Sequence, residues 1–219
     1  MDTKQSFIIK VVRELLRNDF SVLLYNTEKL EDNCGGWCYI DDNDNTKEFA
    51  VAMKHHMGFE ILIHEYCHFL QWKYDNKLWN KSMATYDILF DWISFPLLKF
   101  SLDIKDCDYT TEQLDQSLHD ILELEHDCEK RVLKLVKHNP IEDFDTDKYI
   151  RAVNAYLWSY HLNREFRQRP STPIYSERVL PYMPNVFNEN LSYYLDKNNL
   201  TKEIRDALLV EYQIDSSAC

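Results

Sequence analysis

Residues Ile61 to Trp72 read Ile-Leu-Ile-His-Glu-Tyr-Cys-His-Phe-Leu-Gln-Trp, with His64 and His68 four residues apart and Glu65 between them. On a helix, that spacing sets two side chains about 40° apart, so both imidazoles can reach one metal ion from a single face. Glu65 sits one position round. It is poorly placed as a third ligand, but well placed to hold a water on that metal and take its proton. The surrounding Ile61, Leu62, Ile63, Phe69, Leu70 and Trp72 form an apolar run suited to a buried helix. Two histidines and a glutamate buried without partners there would be costly, and a metal removes the cost. The competing reading is a pair of hydrogen-bonded core histidines.

His64, Glu65 and His68 resemble the His-Glu-x-x-His motif of the zincin metallopeptidases, over this helix and one more. The resemblance implies a zinc cofactor, a peptide or protein substrate and Glu65 as general base. A metzincin would need Gly three residues and His six residues after the second motif histidine, but Gln71 and Tyr74 stand there. A gluzincin instead takes its third ligand from a Glu on a later helix.

The spacing predicts such a helix over Thr110–Lys137, opened by a capping box of Thr110 and Gln113. Leu118, Ile121, Leu122, Cys128, Val132, Leu135 and Val136 trace its apolar stripe, with Glu125 near the middle and Glu129 on the adjacent edge. This pair resembles the gluzincin helix, which implies Glu125 as third zinc ligand and Glu129 as brace for a ring nitrogen of His64 or His68. Glu129 departs from the family pattern, which has Asp there. Pairing of both carboxylates with Arg or Lys at the core edge is the alternative. His126 falls off the stripe, and His119 and His138 read as surface residues.

Elsewhere, Phe7–Leu16 reads as an amphipathic helix, and Ser21–Tyr25, Gly36–Ile40 and Phe49–Met53 as strands. Asp41 to Asn45 suits the hairpin turn between the last two. In the zincin layout, an edge strand just before the motif helix pairs with an extended peptide, which points to Phe49–Met53. Cys34-Gly35-Gly36-Trp37-Cys38 reads as a glycine turn with buried cysteines, and His55 and His56 as loop residues. Asn76 to Lys81 reads as a loop before a helix over Ser82–Leu102, kinked or ended at Pro96. Thr146–Arg169 carries Tyr156, Tyr160 and His161, groups a zinc hydrolase could use to hold an oxyanion, among which spacing does not choose. Prolines from Pro170 to Pro184 mark an irregular segment. A helix near Phe187–Leu195, another capped by Thr201 and a frayed Ser216–Cys219 follow.

The expected fold is α+β, a single mostly helical domain over 1–219, with a small N-terminal sheet packed on the motif helix. The sheet-containing part covers about 1–75 and the helical part about 82–215. A net charge of -12 opposes binding to a phosphate backbone, so nucleic acid is not an expected partner. The first fifteen residues lack the uninterrupted apolar run of a signal peptide, and no stretch reaches membrane-span length. Six irregularly spaced cysteines fit a reduced, cytoplasmic chain. Two functions thus compete: a zinc peptidase, and a non-catalytic zinc module in which the same ligands pin helices together. Retention of Glu65 favours the first, because a structural site has no use for it.

Overall fold

A computed structural model describes residues 3–30, 34–41, 44–102, 108–171 and 174–212, with the backbone alone over 95–102. The expected fraying of Ser216–Cys219 lies outside these residues, as do Asp42 and Asn43 of the hairpin turn. The chain divides into two compact units, Met1–Asn76 with Cys128–Phe144 and Lys77–Asp127 with Asp145–Cys219.

In the first unit, helix α1 (Thr3–Leu16) buries Phe7, Val11 and Leu15, spaced one turn apart. Strands β1 (Ser21–Tyr25), β2 (Gly36–Asp41) and β3 (Thr46–Ala52) form a sheet of order β1-β3-β2. β3 runs parallel to β1, with Leu23 opposite Ala50, and antiparallel to β2, with Cys38 opposite Phe49. Ahead of β3, Asn45 takes φ 59 and Asp44 Oδ1 accepts from the Thr46 amide, as an Asx-rich turn should.

The strand expected at the edge is therefore the central one. Phe49, Ala50, Val51 and Ala52 are fully buried, as an uninterrupted apolar run is when both faces and both edges are covered. The edges belong to β1 and β2.

Helix α2 (Gly58–Tyr74) carries the histidine pair and packs on β2 and β3. The chain can turn into it because Gly58 has no Cβ; one there would stand 2.8 Å from the Ala52 carbonyl oxygen. Toward α1, Tyr66 and Lys73 both donate to the Glu14 carboxylate.

The second unit holds α3 (Asn76–Leu102), most of α4 (Thr111–His138), α5 (Thr146–Phe166), α6 (Leu191–Leu195) and α7 (Lys202–Leu209). One sequence expectation fails on α3: it starts at Asn76 with no loop before it. Pro96 does not end the helix, which continues to Leu102. The polar start is helical because Trp79 is buried and Lys81 pairs with Asp120 and Glu123; tertiary contacts override a composition that reads as loop.

Thr110 and Gln113 form the reciprocal capping box ahead of α4, and Thr201 caps α7. α5 stops short of the expected end because Arg167 takes a left-handed cap at φ 51. The proline-rich segment is irregular but tied down. Arg151 donates to the carbonyls of Leu180, Pro181 and Met183, and Asn154 to those of Pro184 and Val186. Among the described residues, no helix is long and apolar enough to cross a membrane.

Candidate metal centre

α2 turns His64 and His68 onto one face, with their rings edge to face at 87° and their Nε2 atoms 3.1 Å apart. His64 Nδ1 lies 2.9 Å from Glu129 Oε1, and His68 Nδ1 lies 2.8 Å from Gln71 Oε1. With Nδ1–H donated to each of these oxygens, two neutral rings would turn their Nε2 lone pairs toward one another. Two acceptors this close would need a cation or a shared proton between them. Nitrogens bound at ~2.0–2.1 Å to one tetrahedral zinc stand about 3.3 Å apart, close to the separation seen here.

The brace on His64 comes from α4, where Glu129 is buried beside Cys128. The brace on His68 comes from its own helix, three residues on. Sequence reading used Gln71 only to exclude a metzincin; the signal for its role is a fully buried amide at a spacing that meets His68. Cys128 was also missed as a polar neighbour, since a cysteine on an apolar stripe reads as a small hydrophobe. Its thiol donates to the His64 carbonyl at 3.3 Å and lies 3.6 Å from His64 Nδ1, so His64, His68 and Cys128 form a close group of metal donors.

Glu65 is buried and lies against β2: a Cβ at Gly36 would stand 3.1 Å from Glu65 Cγ. Burial, and then the charge of Glu65, push the Cys38 thiol well above its ordinary range. The glycine pair in Cys34–Cys38 thus serves packing, with Gly35 and Gly36 admitting Ile61 and Glu65 against the strand.

Glu125 is buried in the second unit, four residues before Glu129 on α4. Its Oε1 accepts from the Tyr160 hydroxyl at 3.2 Å, and the Tyr156 and Tyr160 hydroxyls are 2.7 Å apart. Burial and the Glu125 charge raise both phenols well above their ordinary range. His161 faces elsewhere. Its Nε2 donates to the Tyr194 carbonyl at 2.7 Å, its ring packs near Trp158, and burial lowers its pKa.

His126, which sequence spacing put off the stripe, is buried; it donates to the Asn188 carbonyl and stacks on Phe187. A second donor group, His119, Asp120 and Glu123, already holds the Lys81 ammonium. Comparison with known protein families, curated proteins and solved structures returned no match.

Proposed function

We propose that this chain is a zinc-dependent metallopeptidase of the gluzincin-like type, acting on a peptide or protein. The observation that carries the reading is the pair of Nε2 atoms 3.1 Å apart, each on a ring whose Nδ1 faces an oxygen of Glu129 or Gln71. His64 and His68 are the first two ligands, fixed in tautomer by Glu129 and Gln71. The family resemblance implies Glu125, one turn before Glu129 on α4, as the third ligand. Bound zinc would supply a Lewis acid that polarises the scissile carbonyl and acidifies water.

Glu65 takes the proton of the attacking water and returns it to the leaving amine. It stands beside β2, an edge strand free of a second sheet partner among the described residues. An extended substrate is therefore assigned to β2, where main-chain pairing would hold the scissile bond near Glu65. Cys34, Cys38, Cys67 and Cys128 stand as thiols rather than in disulfides, in keeping with a reducing, cytoplasmic setting.

The second reading, a closed non-catalytic zinc site, is favoured by one observation, the Cys128 thiol beside His64. Zinc content and peptide hydrolysis separate the two. Glu65→Gln is expected to keep zinc and lose turnover, and His64→Ala to lose both. Undiminished cleavage by the Glu65→Gln protein would overturn the peptidase reading, and a four-protein-ligand coordination sphere would establish the structural one.

A further inference from the structure

Helix α1 has a second face besides the one that buries Phe7, Val11 and Leu15. Ser6, Lys10, Arg13 and Arg17 follow one another along it at steps of three or four residues, and all four are exposed. Together with Glu14 and with Lys73 of α2 they line an open cleft of about 630 Å³, built wholly from the first unit. Four cations thus face one acid.

That acid is already engaged. Glu14 accepts from the Tyr66 hydroxyl at 2.6 Å and from Lys73 at 3.1 Å, which leaves Lys10, Arg13 and Arg17 as the charge offered to the cleft. Neither guanidinium makes an ion pair or side-chain hydrogen bond among the described residues. Acids are not scarce in this chain, with 37 Asp and Glu against 25 Lys and Arg. Two like charges four residues apart on a helix also repel. The α1 dipole favours a cation near its last turn, which accounts for Arg13 and Arg17 but not for Lys10 in mid-helix or Lys73 on another helix.

The chemistry of the cations selects the ligand. A guanidinium presents a planar fork of donors that matches a phosphoryl group bidentately. Lys10 to Arg17 covers about 10 Å of helix axis, longer than one phosphate ion and suited to several linked phosphoryl groups. The cleft volume lies within the range of small-molecule sites, about 300–1,000 Å³.

We propose that the α1 cleft binds a small, soluble polyphosphorylated anion, with the Arg13 and Arg17 guanidinium groups as main contacts and Lys10 at the far end. It uses none of the residues of the peptidase reading and stands or falls without it.

The test titrates the full-length protein with tripolyphosphate, pyrophosphate and orthophosphate by calorimetry at fixed ionic strength, with zinc content assayed before and after so that stripping of metal is seen. Affinity is expected to fall in that order. Arg13→Gln and Arg17→Gln should each weaken tripolyphosphate by about 10-fold or more, as lost charge-assisted hydrogen bonds, and Lys10→Gln by less. Arg13→Lys with Arg17→Lys keeps the charge without the fork and should recover only part of the affinity. Lys134→Gln with Arg178→Gln removes two exposed cations elsewhere and should bind like the parent. The melting temperature of the ligand-free Arg variants should hold.

Equal weakening by the Lys134→Gln, Arg178→Gln protein would reduce the effect to net charge and overturn the proposal, as would full recovery by lysine or loss of binding only alongside loss of melting temperature. Phosphatidylcholine vesicles with and without phosphatidylinositol bisphosphate test the other source of the same chemistry. Capture by the latter lipid through Arg13 and Arg17, with no response to tripolyphosphate, would overturn the assignment of a soluble ligand.

Discussion

His68 is braced by an amide and His64 by a carboxylate, and the difference is testable one residue at a time. Gln71→Met fills similar space but offers no oxygen to Nδ1, so zinc affinity is expected to fall by about 10–100-fold; Glu129→Ala should cost a similar amount, and Glu129→Gln, which keeps an oxygen, less. Chelator competition reads all three.

A second prediction concerns His55, whose Nδ1 accepts from the Met57 amide at 3.1 Å, just ahead of α2. Burial, then His56, lowers its pKa from 6.5 to about 4. The folded chain therefore resists protonating His55 while the unfolded chain accepts it. This contribution to stability is complete above 6.5 and declines as pH falls from 6.5 toward about 4. His55→Asn supplies an untitrating acceptor, so urea unfolding at about pH 7 and about pH 5 should show a smaller acid-side loss than in the parent. An equal loss would remove His55 from the account.

At the level of elements, β2 and α2 approach through Gly36. A Cβ there would stand 2.8 Å from Ile61 Cγ2, 3.0 Å from the Ala50 carbonyl oxygen and 3.1 Å from Glu65 Cγ. One of these neighbours is backbone and cannot yield, so the strain must pass to the helix side chains. Gly36→Ala is expected to cost about 1–3 kcal/mol as an overpacked contact. If the chain is the proposed zinc peptidase, the substitution should also lower turnover while zinc content holds, because Glu65 would move and the histidines would not. Parent-level turnover in a correctly folded Gly36→Ala protein would show that β2 does not set the position of Glu65.

For the whole molecule, zinc held in the folded state alone must raise its stability. At ~100 times its dissociation constant, a bound ion adds about 2.7 kcal/mol, which for a chain of this size raises the melting temperature by roughly 5–10 °C. The shift should vanish on chelation and be absent from the His64→Ala protein. A thermal shift series over zinc concentration checks it, and an unresponsive parent would argue against any resident ion.

What could be read directly from the sequence was set by local periodicity. His64 and His68 share a face because 3.6 residues make a turn, and Glu125 and Glu129 stand one turn apart for the same reason. The capping box of α4, the Thr201 cap and the strand at Ser21–Tyr25 are equally local. The tertiary structure decided whatever depends on partners distant in the chain. An apolar strand carries no mark of which neighbours pair with it, so Phe49–Ala52 became the centre of the sheet when β1 joined it in parallel. Asn76 to Lys81 reads as loop until Asp120 and Glu123 take up Lys81. A tyrosine on a helix face does not say where its hydroxyl points, and only the packing of α5 turned Tyr160 to Glu125 and His161 to the Tyr194 carbonyl. Spacing determines which side chains share a face; the long-range pairing and rotamers that determine what each one meets come only with the folded chain.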